Sequence, residues 1–123
     1  MIFLKRRWKT LECIFCRIIE KEIPSNIVYE DDNIIAFKDI NPQAPVHLLV
    51  VPKKHIPNLL EVEEKDSFLI LEITRVIKEL AKTYNIDDKG FRVVINTGDE
   101  GGQTVHHLHF HLLGGRFMTW PPG

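Results

Sequence analysis

Hydrophobic and polar positions change period several times along the chain. Between residues 14 and 22, Ile14, Phe15, Ile18 and Ile19 recur at helical spacing, which predicts a short amphipathic helix ended by Pro24 and Ser25. Residues 27–30 and 34–39 are β-rich runs joined by Asp31-Asp32-Asn33, the chemistry of a hairpin turn. The loop Asn41-Pro42-Gln43-Ala44-Pro45 leads into residues 47–52, a run apolar enough for a central strand. Beyond the connector Lys53-Lys54-His55-Ile56-Pro57, the positions Leu69, Ile73, Val76, Ile77, Leu80 and Tyr84 keep a 3.6-residue period and predict a long helix over 63–84. Two further strands, 91–96 and 107–113, flank the glycine-rich loop Gly98-Asp99-Glu100-Gly101-Gly102. The order α-β-β-β-α-β-β contains no repeat and predicts an α+β fold, a mostly antiparallel sheet with a helix packed on it.

At 123 residues the chain is the size of one domain, and 44% hydrophobic with 27% charged residues describes a soluble, folded protein. A formal net charge of −1 supplies no field to draw in nucleic acid or an anionic membrane, so neither is expected as a partner. No apolar stretch approaches the ~20 residues of a membrane-spanning helix. The first residues meet Lys5, Arg6 and Arg7 too early for a secretory apolar segment, so a reducing, cytoplasmic setting is expected. Residues 1–12 read as a basic extension around Trp8, and 13–123 as the single domain. In a reducing compartment Cys13 and Cys16, spaced Cys-x-x-Cys, leave metal binding, redox chemistry or plain burial open.

The histidines change the picture most. Four of the six stand at positions 106, 107, 109 and 111. In a strand, alternate side chains share a face, so His107, His109 and His111 form a row while Leu108, Phe110 and Leu112 point the other way. A row of imidazoles on a core strand implies chemistry, either a transition-metal site or a nucleophile with proton-handling neighbours. The preceding loop favours the second. Gly98, Gly101 and Gly102 allow backbone amides to converge on a phosphate, with Gln103 and Thr104 as neutral donors beside it. His106 falls outside the row and reads as a strand-entry residue.

His107-Leu108-His109-Phe110-His111-Leu112-Leu113 resembles the histidine-triad motif, and the chain from about Cys13 to its end resembles the Hint branch of that superfamily of nucleotide hydrolases and transferases. The resemblance includes Ala36-Phe37-Lys38-Asp39-Ile40, Pro52-Lys53-Lys54-His55-Ile56, Gly101-Gly102-Gln103 and the ending Trp120-Pro121-Pro122-Gly123. It implies a five-stranded sheet, joined into a larger one across a homodimer, and a hydrolase of purine nucleoside phosphoramidates. His109 would attack the α-phosphorus and carry a covalent nucleotide, His111 would contact the phosphate and leaving group, and His47 would orient or handle protons. Asn96, Thr104 and the amides of Gly102 and Gln103 would bind the phosphate side. Asp39 would accept hydrogen bonds from the ribose, unless it is a turn residue. Phe15, Ile18, Phe37 and Ile40 would wall the purine, with core packing as the competing account of all four.

The same resemblance implies a structural zinc ion on Cys13, Cys16, His55 and His107, and a reaction that needs no cofactor; His106 is the fallback fourth ligand if the strand begins in a different register. Two alternatives use the same residues: a dinucleoside polyphosphate hydrolase or nucleotidyl transferase, and a non-catalytic nucleotide-binding scaffold.

Overall fold

The computed structural model describes residues 13–123; the basic extension expected over 1–12 lies outside the described residues. Five strands form one antiparallel sheet: β1 (Ile27–Glu30), β2 (Ile34–Lys38), β3 (Val46–Pro52), β4 (Phe91–Val94) and β5 (Phe110–Gly114). Their order across the sheet is β1-β2-β3-β5-β4. Helix α1 (Ile14–Ile19) and the longer α2 (Ser67–Thr83) complete the α+β architecture read from the sequence. Among the described residues no helix is long and apolar enough to cross a membrane.

Alternation along the strands divides the core into two layers. Ile34, Ala36, Leu48, Val50, Leu108, Phe110 and Leu112 face α2 and pack on its apolar stripe, Leu69, Ile73, Val76, Ile77 and Leu80. Ile35, Phe37, Leu49 and Val51 face the other way and pack against Phe15, Ile18, Cys13 and Cys16 of the α1 segment. Fully burying one such aliphatic or aromatic side chain contributes about 1.5–3 kcal/mol.

Several boundaries differ from the sequence reading, each for a local reason. Helix α1 stops at Ile19 rather than at 22. Lys21 takes φ 63°, and the bonds Lys21 N–H to Ile18 O and Glu22 N–H to Arg17 O close a Schellman cap without glycine. The first turn expected of the long helix is a 3₁₀ segment, Glu64–Asp66, held by reciprocal capping between Glu63 and Asp66. An unforeseen 3₁₀ turn, Leu59–Glu61, precedes it. Strand β4 ends two residues early, at Val94.

The most consequential difference concerns β5, which begins at Phe110 instead of 107. Its ladder with β3 ends at the pair Val50–Phe110. Further along β3, the Pro52 carbonyl bonds the ring of His107, while Leu108 N–H bonds the Ile56 carbonyl. The backbone of 107–109 is therefore used to anchor the 55–57 connector, not to extend the sheet. Leu108 still packs with Phe110 and Leu112, so the expected division of sides survives outside the regular strand.

Candidate active site

Strands β3 and β5 bring His47 and His111 together. His47 stands opposite Leu113 and His111 opposite Leu49, which makes the two imidazoles diagonal neighbours on the α1-side face. His47 Nε2 lies 2.9 Å from His111 Nδ1, and the ring centres of His109 and His111 are 5.0 Å apart. His47 and His109 are buried, and Phe15 meets the His109 ring edge-on at 5.1 Å.

Hydrogen bonding assigns the protons. Gln43 N–H donates to His47 Nδ1 at 3.0 Å, so the His47 proton sits on Nε2 and is given to His111 Nδ1. His111 must then carry its own proton on Nε2, which is buried and has no hydrogen-bond partner. His109 has the opposite arrangement. Its Nδ1–H donates to the His107 carbonyl at 2.7 Å and leaves Nε2 as a free lone pair. One imidazole thus presents a nucleophile and its neighbour a proton donor.

Burial chiefly holds His109 below the ordinary histidine range, against the hydrogen bond to the His107 carbonyl. His47 is lowered by burial too, with the Asp39 carboxylate, 3.4 Å away, opposing. Burial, and then the nearby His109 and His47, bring His111 down to about 4. All three rings are therefore neutral near pH 7. In the unfolded chain these histidines bind protons at higher pH than in the folded one, so their stability contribution is complete above pH ~6.5 and is lost as pH falls. For His111 the loss runs from there down through about 4. Thermal unfolding followed from pH 7.5 to 4.5 should show a falling Tm, with a shallower fall in His111→Gln; parallel slopes would contradict the assignment.

The expected substrate residues occupy varied settings. Asp39 Oδ1 accepts from Asn41 N–H, as the turn reading requires, while Oδ2 faces His47. Phe15, Ile18 and Phe37 are buried and pack together, as core packing requires. Ile40 is 99% exposed, which removes core packing as its explanation. Asn96 is half-buried just beyond β4, and Thr104 is exposed. In the glycine-rich loop, Gly102 N–H bonds Asp99 O and Gln103 N–H bonds Gly98 O. These two amides hold the loop's own turns rather than pointing outward together. The Gln103 side chain likewise turns inward, accepting from Gly98 N–H and donating to the carbonyls of Pro57 and Val105. Gly101 is required sterically, because a Cβ there would lie 2.2 Å from the Thr97 carbonyl oxygen.

Two anchors escaped the sequence reading. Gln43 fixes the His47 tautomer through its backbone, and Arg116 holds that loop by donating from Nε and Nη2 to the Gln43 carbonyl. The prolines flanking Gln43 were the available signal, but a backbone donor carries no residue signature.

The second cluster joins Cys13, Cys16, His55 and His107, whose ligand atoms all lie within 4.8 Å of one another. Cys13 Sγ and Cys16 Sγ approach His107 Nδ1 at 3.3 and 3.6 Å, Cys16 Sγ lies 3.3 Å from His55 Nδ1, and the two Nδ1 atoms are 3.1 Å apart. A tetrahedral zinc site with two sulfur and two nitrogen ligands has edges of roughly 3.3–3.8 Å, so the donor set fits with shifts of a few tenths of an ångström. His107 donates Nε2–H to the Pro52 carbonyl at 2.8 Å, which turns its Nδ1 lone pair into the cluster. His107, not the exposed His106, completes the cluster. The Cys13 thiol is held far below its usual range, chiefly by the hydrogen bond from Cys16, while that shared bond and burial push Cys16 up. A cation would relieve this conflict by stabilising both thiolates.

An antiparallel sheet presenting paired imidazoles from a His-x-His-x-His run defines a histidine-triad protein. The comparisons agree. The family model described as "Scavenger mRNA decapping enzyme C-term binding" matches residues 12–120. A HIT-like protein of Synechococcus elongatus is 53% identical over 112 residues, covering 91% of this chain and 97% of its own length. A 14 kDa zinc-binding protein of Zea mays is 49% identical over 120 residues, covering 96% and 93%. The crystal structure of a HIT family hydrolase from Legionella pneumophila Philadelphia 1 superposes with a TM-score of 0.90 at 52% identity, over 91% of this chain and all of that one. The chain belongs to the histidine-triad (HIT) family.

Proposed function

We propose that this HIT protein is a Hint-like hydrolase of purine nucleoside phosphoramidates, acting through a covalent nucleotide on His109 Nε2. The observation that carries the reading is the pair of opposite tautomers, a lone pair on His109 beside a proton on His111. His109 Nε2 attacks the α-phosphorus, a new P–N bond to imidazole forms, and the bond to the amine breaks. An anionic phosphate against His111 Nε2 opposes the burial that keeps this ring neutral, so a proton enters with the substrate onto the His47–His111 pair. His111 takes the His47 proton at Nδ1 as it gives up Nε2–H. That proton leaves on the departing amine. His111 then takes a proton from the water that attacks phosphorus, and AMP and free His109 result. His47, held by Gln43, keeps His111 Nδ1 occupied and Nε2 directed at the reaction.

Asp39 would meet the ribose hydroxyls, and the exposed Ile40 would close over the purine from the rim. Asn96 and Thr104 would approach the phosphate, with Phe15, Ile18 and Phe37 forming the apolar floor. The engaged amides of Gly102 and Gln103 restrict their part in this reading to shaping the loop. A homodimer agrees with the edge position of β4, where Phe91 and Val93 are partly exposed, and with the 82%-exposed Trp120 on the tail.

Cys13, Cys16, His55 and His107 would hold zinc, a reading supported by their fit and by the zinc-binding relative from maize. The ion would be structural, because two thiolates and two imidazoles fill its tetrahedron and leave no position for substrate.

The test incubates the protein in parallel with adenosine 5′-phosphoramidate and a dinucleoside polyphosphate, with intact mass analysis of quenched samples. Faster AMP release from the phosphoramidate, with a nucleotidyl adduct, is expected. Preferential cleavage of the polyphosphate would transfer the same nucleophile to another substrate class. Tight AMP binding without turnover would make the protein a binding module.

A further inference from the structure

Among the described residues, the metal-ligand cluster is not sealed. A cavity of about 410 Å³ opens beside it, lined by Cys13, His55, Pro57, Thr104, Val105 and His106, among others, and the catalytic His47, His109 and His111 do not line it. Two of the four donors, Cys13 and His55, therefore face a space large enough for water and small solutes, on a route separate from the catalytic histidines. Cys16 lies directly behind Cys13: its N–H bonds Cys13 Sγ at 3.3 Å, and both cysteines are free thiols.

The cluster also connects to the chemistry through one residue. His107 supplies a donor atom by its side chain, and its carbonyl fixes the tautomer of His109 at 2.7 Å. Its neighbour Leu108 is tied to Ile56, next to the donor His55, and Gln103 is tied to Pro57. Releasing the donors would loosen both the 55–57 connector and the 103–109 segment that positions the nucleophile.

We propose that Cys13 and Cys16 form a peroxide-sensitive thiol switch, in which closure of a Cys13–Cys16 disulfide dissolves the metal site and turns off His109. The oxidant is hydrogen peroxide reaching Cys13 through the cavity. Cys13 sulfur takes the terminal oxygen to become a sulfenic acid, and the O–O bond breaks to release hydroxide. Cys16 thiolate then attacks that sulfur, the S–S bond forms and a second hydroxide leaves; two protons from solvent complete two waters. The two sulfurs together lose one electron pair, which the peroxide gains. Only His55 and His107 remain as donors, too few to retain the ion. The proposal rests on the metal reading above, so the experiment measures metal separately from activity.

Purified protein is assayed for bound zinc, then treated with hydrogen peroxide while zinc release, free thiols and intact mass are followed. The expected result is loss of one zinc and both thiols, a mass lower by about 2 Da, and a fall in turnover of about 10-fold or more. Dithiothreitol with added zinc should reverse all of it. Cys16→Asp keeps a metal donor but cannot close the disulfide, and should retain zinc at the same peroxide dose. Protein without zinc before oxidation overturns the metal reading and the switch with it. Zinc retained by oxidised wild type, or a mass gain from sulfinic acid in place of the disulfide, overturns the switch alone. Should the variant fail to fold, the wild-type masses still decide.

Discussion

Replacing His109 with alanine is expected to lower kcat/KM for nucleotide release by about 10⁴-fold or more, with loss of the covalent adduct. The size follows from the division of labour at the site. Nδ1 of His109 is committed to the His107 carbonyl and Nε2 is its one free nitrogen. His111 cannot replace it, because its Nδ1 is bonded to His47 and its Nε2 carries the proton. The substitution leaves Phe15 without its edge-on neighbour but takes no strand out of the sheet, so circular dichroism should stay that of the wild type. A His109→Ala protein that still yields the adduct would place the nucleophile elsewhere and overturn the mechanism.

Removing the metal, by chelation or by Cys16→Ala, is expected to lower Tm by about 10 °C or more. Cys13 and Cys16 are buried side by side, and the second thiolate is opposed by the first. Without a cation one sulfur must keep its proton, and two imidazole nitrogens remain 3.1 Å apart. The bound ion would instead join α1, the 55–57 connector and the approach to β5 at a single point. Scanning calorimetry of metal-loaded and chelated protein checks this, and identical melting curves would show that the four donors are held by packing alone.

Most of the fold was legible because its signals are periodic. The stripe from Leu69 to Leu80 and the alternation through 108–112 gave helix α2 and the two sides of β5 directly. The misplaced start of β5 has a different origin. Alternation reports which side a residue faces, whereas a ladder requires free backbone partners, and Pro52 and Ile56 use theirs on His107 and Leu108. The histidine pairing of β3 with β5 was legible only through the family resemblance, since register between strands 64 residues apart leaves no local trace. Gln103 is a different case. Its residue type suggested a phosphate donor, yet three hydrogen bonds turn it into the brace of the glycine-rich loop.

The sheet separates two apolar layers of unequal thickness. One is backed by the 17 residues of α2, the other by the six of α1 and the cysteine cluster. Opening free energy need not be shared between them. The α1 side can exchange its amide hydrogens by a local opening that leaves α2 and the inner strands protected. The histidines stand on the thinly backed side, so hydrogen exchange there is expected to outpace that of α2.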